Sequence, residues 1–399
     1  MVVFAAESNR PVLEPPMHLR LFLSLVALIP AAAASAQQAC TPSSTPVIGA
    51  DDPAPALFSH CVEETKCGAV DRKGEWKVPP KFRDVLIKDD FIVVPENDDW
   101  TKYGFLGANG ESLGSGEYTI SVEEDLPVSE GLLPVVSGEK AGYVDKTGKL
   151  RVPAEFDYGA AFVDGLAAVE QDGKHFYIDT AGKTVVAPPP GFDDLSAFVD
   201  GVAVVGKEGK YGLIDKTGKL VVEPNFDSIY ADSGVLVALK EASYGILDKT
   251  GNWIAKPDFA AIGPFSDGLA PAQQGERWGF IDTCGNWKIP AKYTFAIGFD
   301  GGPARVQIDE KWGLIDKTGK EITPVDKKFI GDGIWRDGLI TFSPDETKYG
   351  LIDTTGKTVI EPKYDSVDPL GGGVLMAYDG EEMKLLNLDG SEIKVLPAP

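Results

Sequence analysis

A recurring glycine constrains what this chain can fold into more than any other feature of its sequence. Copies of the stretch Tyr211–Lys219 align on their closing glycine, and the aligned glycines follow one another at intervals of 33 to 38 residues. They are Gly74, Gly110, Gly148, Gly182, Gly218, Gly251, Gly285, Gly319, Gly356 and Gly390. Such even spacing is typical of repeat proteins, in which each unit packs on its neighbours. The sequence therefore predicts one body built from about ten similar units.

An aspartate stands three residues before most of these glycines and predicts a tight turn between two strands. At the first position of a type I turn, Asp accepts hydrogen bonds from nearby backbone N–H groups, whereas Gly tolerates the positive φ that closes the turn. We therefore assign a structural turn role to Asp145 and Gly148, Asp215 and Gly218, Asp248 and Gly251, Asp282 and Gly285, Asp316 and Gly319, and Asp353 and Gly356.

The residues around each turn predict three strands per unit. An aromatic-Gly pair followed by two apolar residues precedes the turn, as at Tyr211–Ile214, and a β-branched run ending in proline follows it, as at Leu220–Pro224. Glycine inside a strand indicates a bulge or the close approach of another backbone. A third strand begins after Phe-x-Asp-Gly, as at Phe162–Ala167. The predicted fold class is all-β, with each unit a three-stranded antiparallel meander.

This succession of motifs resembles the WG-repeat family, also called the KWG-repeat family, of bacterial proteins. The resemblance covers residues 56–399, with departures such as Cys67 and Ala141 in the aromatic position. It implies a β-rich repeat domain, often exported, that binds other molecules. It brings no catalytic residues and no cofactor.

Two architectures accommodate such an array. An open, solenoid-like stack of meanders is the predicted arrangement, and a closed, propeller-like ring is the alternative. Propeller blades usually have four strands over about 40 residues, and typical rings have 4–8 blades, which favours the open stack for about ten shorter units.

The N-terminal residues have the pattern of an export signal. Residues 1–36 are predicted to be a leader with a start at Met17, a short apolar core and cleavage after Ala36; residues 37–55 form a linker rich in Pro, Ser, Thr and Asp, and residues 56–399 form the array. The alternatives are a retained membrane anchor and a lipid anchor on Cys40. The pattern favours an exported protein, periplasmic or extracellular, with no stable membrane span after signal cleavage.

The net charge of −23 makes nucleic acid an unfavourable partner, because no cluster of Lys or Arg offsets the repulsion of phosphate groups.

The cysteines suggest one specific disulfide. In the repeat register, Cys61 and Cys67 face each other across a hairpin, where their bond would staple the first unit. The partner of Cys284 cannot be deduced, with Cys40 as one candidate. The scarcity of histidine argues against a Cys/His metal site.

The sequence offers one catalytic motif to consider and one set of aromatic residues that could face a ligand. Gly110–Gly114 matches the G-x-S-x-G pattern of hydrolases, but it falls on a closing turn instead of a strand-to-helix elbow. The aromatic residues of the repeated positions are assigned to the core. Three occasional tryptophans after the closing glycine, Trp76, Trp253 and Trp287, are the candidate ligand-facing aromatics.

These observations favour a non-enzymatic binding or scaffolding protein of the cell envelope, which engages a protein or glycan through its repeat surface. The alternative is an exported glycan-active hydrolase with a pair of catalytic carboxylates hidden among the acidic residues. No metal or cofactor is expected for either, and the aspartates of the turns would make only shallow Ca²⁺ sites.

Overall fold

The computed structural model describes residues 56–63, 66–120, 127–331, 335–380 and 382–396. Every regular element within these ranges is a β-strand. The predicted leader and linker up to residue 55, including Cys40, lie outside the described residues.

The strands form ten antiparallel sheets, each built from one contiguous stretch of chain. The first five sheets are β1 (Leu57–Cys61), β2 (Cys67–Asp71) and β3 (Trp76–Phe82); β4 (Leu86–Lys88), β5 (Phe91–Pro95), β6 (Lys102–Leu106) and β7 (Ser112–Glu117); β8 (Leu133–Ser137), β9 (Lys140–Val144) and β10 (Leu150–Phe156); β11 (Tyr158–Gly159), β12 (Leu166–Gln171), β13 (Lys174–Asp179) and β14 (Thr184–Val186); and β15 (Asp194–Val199), β16 (Val202–Lys207), β17 (Lys210–Asp215) and β18 (Leu220–Phe226).

The remaining five sheets follow the same plan. They are β19 (Ser228–Asp232), β20 (Val235–Lys240), β21 (Ser243–Leu247) and β22 (Trp253–Phe259); β23 (Ala261–Ile262), β24 (Leu269–Gln274), β25 (Arg277–Asp282) and β26 (Trp287–Tyr293); β27 (Phe295–Ile297), β28 (Ala304–Ile308) and β29 (Lys311–Ile315); β30 (Phe329–Ile330), β31 (Leu339–Ser343), β32 (Tyr349–Asp353) and β33 (Thr358–Tyr364); and β34 (Ser366–Gly371), β35 (Val374–Asp379), β36 (Glu382–Asn387) and β37 (Glu392–Leu396).

The all-β class and the antiparallel meander are confirmed, but most sheets have four strands where the sequence predicted three. The additional strand comes first in each four-stranded sheet, and it is as short as the two residues of β23. A single residue, such as Asp227 between β18 and β19, separates it from the last strand of the preceding sheet. It therefore reads in the sequence as the tail of the previous unit.

The glycine of the aromatic-Gly motif serves the close approach that the sequence suggested. A Cβ atom on Gly212 would lie 2.3 Å from the carbonyl oxygen of Val222 in the neighbouring strand β18. The pairing of β17 with β18 is irregular around this position. Any side chain at Gly212 would therefore separate the two strands.

The apolar core lies between successive sheets. In one typical interface, Leu213 and Phe226 of the fifth sheet pack against Leu236 of the sixth. The same arrangement recurs along the chain. Each sheet is therefore apolar on both faces and requires a neighbour on each side.

The first and tenth sheets supply that neighbour for each other, so the array closes into a ring. Val70 of the first sheet shares one buried cluster with Val374, Leu385 and Leu396 of the tenth. In addition, the Nζ of Lys394 donates a hydrogen bond of 2.6 Å to the carbonyl oxygen of Gly74. The predicted open stack is therefore corrected to its alternative, because an open stack would expose these apolar faces to water.

The predicted Cys61–Cys67 disulfide is confirmed. The two residues pair directly across the hairpin of β1 and β2, and Cys67 is 2% exposed within the core of the first sheet. Cys284 is also held as a disulfide and not as a free thiol.

Candidate functional site

The antiparallel plan gives the ring two distinct faces. One, here called the turn face, carries the Asp-x-x-Gly turns between the third and fourth strands and the turns between the first and second. The other, the hairpin face, carries the hairpins between the second and third strands and the crossovers from one sheet to the next. Most of the candidate functional residues lie on one of these two faces.

On the turn face, the repeated aspartates and glycines are engaged in the backbone of the turns. The N–H of Gly218 donates to the carbonyl oxygen of Asp215 at 2.9 Å, and Oδ1 of Asp215 accepts the N–H groups of Thr217 and Lys219 at 2.8 and 3.2 Å. All ten closing glycines have φ between 71° and 84°. The same backbone bond recurs at Asp145, Asp248, Asp282, Asp316 and Asp353 with Gly148, Gly251, Gly285, Gly319 and Gly356.

These bonds favour the charged form of the turn aspartates. The Thr217 hydroxyl, together with the turn N–H groups, holds the pKa of the Asp215 carboxyl below its usual range. The pKa values of Asp316 and Asp353 are lowered by the same contacts. At Asp145, Asp248 and Asp282 partial burial opposes the shift, but the hydrogen bonds prevail and the pKa is again lowered.

The lysine after the turn aspartate ties neighbouring sheets together on this face. Lys317 pairs with Asp267 of the preceding sheet, with Nζ and Oδ2 3.2 Å apart. Lys216 pairs in the same way with Asp164. These aspartates belong to the Phe-x-Asp-Gly motif and adopt positive φ. The repeated charges of the turn face therefore serve the assembly of the ring.

On the hairpin face, an aspartate in the crossover joins two sheets. Oδ1 of Asp227 accepts a hydrogen bond from Nζ of Lys210 in the fifth sheet. Its Oδ2 accepts a second hydrogen bond, of 2.8 Å, from the backbone N–H of Glu241 in the hairpin of the sixth sheet. Lys210, followed by this N–H, lowers the pKa of the Asp227 carboxyl. Asp157 and Asp365 make the same two contacts. We call this arrangement the crossover clamp.

The crossover clamp is lost where the repeat departs from its pattern. The position of Asp227 is occupied by Ala260 at the end of the sixth sheet, by Thr294 at the end of the seventh and by Lys328 at the end of the eighth. The position of Lys210 is Ser243 in the sixth sheet, but in the seventh and eighth sheets it holds the cations Arg277 and Lys311, both exposed. Neither makes an ion pair with another residue that the structure describes.

An aromatic cluster lies at the same place. Phe295, the first residue of β27, is 41% exposed, and its ring centroid is 5.5 Å from that of Trp278 and 6.0 Å from that of Trp312. Trp278 belongs to the interface before the eighth sheet and Trp312 to the interface after it. We define the aromatic–cationic patch as Arg277, Trp278, Phe295, Lys311, Trp312 and Lys328.

The three tryptophans proposed from sequence as ligand-facing are half-buried packing residues in the structure. Trp253 packs edge-on against Phe226 of the preceding sheet at 5.5 Å, and its ring occupies the space that a side chain on Gly245 would fill. Trp287 makes the same kind of contact with Phe259, at 5.7 Å. Trp76 stacks on His60. The space left by the strand glycines Gly68 and Gly245 explains why Trp76 and Trp253 turn towards the protein.

The aromatic residue before the strand glycine is not buried in every unit, although the sequence predicted a core position. Tyr103 is 1% exposed, whereas Tyr211, Tyr244, Trp278, Trp312 and Tyr349 are half-buried. The first residue of the Phe-x-Asp-Gly motif is buried throughout, as with Phe162, Phe198 and Phe265. The departures from the clamp pattern at 294 and 328 were the sequence signal that could have located the patch.

Two other kinds of site were considered from the sequence, a serine nucleophile and a metal centre. Ser112 of the G-x-S-x-G match begins the edge strand β7 directly after a closing turn. Within the described ranges, no group of three or more His, Cys, Asp or Glu residues is arranged to hold a metal ion. The same ranges contain no helix with the length and hydropathy needed to cross a bilayer.

Ten small antiparallel sheets closed into a ring define a ten-bladed β-propeller, in which each sheet is one blade. The chain belongs to the family described as the WG containing repeat. That family matches residues 68–100, 142–174, 176–211, 211–234, 244–278, 278–312 and 349–377, which together make up more than half of the chain.

Solved structures align with this chain at very low sequence identity. A eukaryotic initiation factor, 11% identical, aligns over 86% of this chain and 96% of its own with a TM-score of 0.50. BamB from Moraxella catarrhalis aligns at 12% identity over 77% and 93% of the two chains with a TM-score of 0.35. AztD from Citrobacter koseri aligns at 11% identity over 86% and 94% with a TM-score of 0.34. A search of curated proteins found no match.

Proposed function

We propose that this protein is a non-enzymatic binding or scaffolding module of the cell envelope, which engages a macromolecular partner through the surface of its ring. The observation that carries the proposal is that the repeated polar residues form contacts within the ring. They hold the turns and clamp the sheets, so the unrepeated exposed residues of the rim are free for recognition.

The aspartates that hold the turns and crossovers are poor candidates for the acid of a glycan hydrolase. A glycosidase needs one carboxylic acid whose pKa is raised, so that it can protonate the leaving group. Among the described residues, every aspartate with a shifted pKa is shifted downward, towards the carboxylate. Such groups accept hydrogen bonds and do not act as general acids near neutral pH.

Two features support export. The leader pattern of residues 1–36 is that of a secretory signal. The Cys61–Cys67 disulfide belongs with an oxidising compartment, because cytosolic thiols are kept reduced. We therefore place the mature protein, beginning at Gln37, outside the cytoplasm.

The proposal is tested with the purified mature protein and envelope extracts of the source organism. Chemical cross-linking and mass spectrometry identify a partner, and the binding of that purified partner is then measured by calorimetry. A polysaccharide hydrolysis screen runs in parallel. We expect saturable binding without turnover. Turnover that a single carboxylate substitution abolishes would overturn the proposal, as would the failure of the protein to retain any envelope protein or glycan.

A further inference from the structure

We propose that the aromatic–cationic patch is the docking site for an acidic segment of a partner protein, with an apolar or aromatic side chain of that segment seated on Phe295. The proposal rests on the binding function above and specifies which part of the ring does the binding and what chemistry it selects.

Phe295 has the properties of an anchor position. It remains 41% exposed although tryptophans contact its ring on both sides, so its ring is held in place while one part stays open to solvent. Tyr158 occupies the same repeat position at the start of β11 and is 60% exposed. A ring held in place by its neighbours loses little side-chain entropy when a partner covers it.

The charges around Phe295 favour an acidic partner. The hairpins and crossovers of the seventh and eighth sheets carry the cations Arg277, Lys311, Lys327 and Lys328 and the anions Glu276, Asp309, Glu310 and Asp326, and Lys292 near the end of β26 adds one more cation. Asp326 is already paired with Lys327 at 3.0 Å. The region is thus slightly cationic in a chain of net charge −23. Repulsion by the rest of the ring directs an acidic segment to this patch.

The departures from the clamp pattern leave two of these cations available. At three other crossovers an aspartate holds the equivalent lysine, as Asp227 holds Lys210. The hydroxyl of Thr294 instead donates a hydrogen bond to the carbonyl oxygen of Gln307. Lys328 puts a cation at the position where an aspartate would have paired with Lys311. A carboxylate supplied by a partner would restore the missing contact to Arg277 or Lys311.

The arrangement of the rings favours a protein segment over a glycan. A sugar ring stacks on a flat, open aromatic face, whereas Phe295 meets Trp278 and Trp312 at interplanar angles of 64° and 85°. Both tryptophans are half-buried. An aromatic centre surrounded by charged residues is the usual composition of a protein–protein contact.

The experiment measures fluorescence anisotropy of three labelled probes with the mature protein. The first is a peptide with one central Trp flanked by Asp and Glu, the second has Lys at the flanking positions, and the third is a polygalacturonate oligomer. The test variants are Phe295→Ala and the double variant Arg277→Gln with Lys311→Gln. The controls are Tyr158→Ala and Lys174→Gln, which change the same repeat positions in the fourth sheet.

We expect only the acidic peptide to bind the unaltered protein, with a Kd that rises about tenfold or more in both test variants. Both control variants should keep the original Kd. Circular dichroism and the urea midpoint confirm that the variants fold. Equal binding of the Lys-flanked peptide, selective binding of polygalacturonate, no binding of the acidic peptide, or an unchanged Kd in Phe295→Ala would each overturn the docking proposal.

The two proposals fail in distinguishable ways. An envelope partner that binds Phe295→Ala and the unaltered protein equally well would remove the patch as the docking site and leave the binding function intact. Absence of any retained partner would remove the binding function itself.

Discussion

Closure of the ring makes a quantitative prediction for Leu385, which lies in β36 of the tenth sheet. Its side chain is fully buried in the cluster that joins this sheet to Val70 of the first. The substitution Leu385→Ala removes three carbons, which corresponds to about 2.5 kcal/mol of transfer free energy. The cavity that remains adds to this loss. We therefore expect the free energy of unfolding to fall by about 3 kcal/mol.

Leu351 provides the matched control because it occupies the same repeat position in β32 and is equally buried, against the tenth sheet. In a closed ring, Leu351→Ala and Leu385→Ala should cost similar amounts. In an open stack, Leu385 would lie on an uncovered terminal sheet, where a substitution usually changes stability by less than about 0.5 kcal/mol.

Urea unfolding of residues 37–399, followed by tryptophan fluorescence, measures both losses. Amide hydrogen exchange in β2 adds a local readout, since loosening of the tenth sheet should expose the first. A loss under about 1 kcal/mol for Leu385→Ala, beside about 3 kcal/mol for Leu351→Ala, would refute the closed ring.

Three further outcomes follow from the turns and the disulfide. Removal of the bond between Cys61 and Cys67 by the double substitution C61S/C67S, which leaves the disulfide of Cys284 in place, should cost about 2 kcal/mol in urea unfolding, since it frees only a short loop. Gly218→Ala should cost about 1–2 kcal/mol in the same assay, because φ is 81° and the new Cβ would lie 2.5 Å from a carbonyl oxygen. The lowered pKa of Asp215, caused first by the Thr217 hydroxyl, should appear in an NMR carboxyl titration. Its stabilising contribution is present above the unfolded pKa of about 3.9 and is lost as the pH falls through the lower folded value, so Asp215→Asn should flatten the acid limb of the stability curve.

The parts of the fold that the sequence predicts are those set by local chemistry. The bonds between Asp215 and Gly218 join residues three apart, and the Cys61–Cys67 pairing follows from the register of one hairpin. Both are visible in a window of a few residues. The first strand of the seventh sheet has no signal in the sequence, because β23 contains only Ala261 and Ile262 and has no alternating pattern of its own.

Long-range features left no local trace in the sequence. The hydrogen bond from Lys394 to Gly74 spans 320 residues, so nothing near either residue indicates closure. The patch was missed for another reason. Trp253 was favoured because it is occasional among the repeats, but its ring packs over Gly245. Phe295 gives no such signal, since the residue that departs from the crossover-clamp pattern is its neighbour Thr294.

Because each sheet is built from contiguous residues, the ring has a natural folding order. Hairpin contacts within a sheet and packing between successive sheets need only short loops, and such contacts form quickly. The contact between the two ends must bring residues 320 apart together, which costs about 2 kcal/mol more in loop entropy than a link of about 35 residues. During synthesis the N-terminal sheets can therefore form first and the others can be added one by one. The contact between the first and tenth sheets forms only after the tenth sheet has been synthesised.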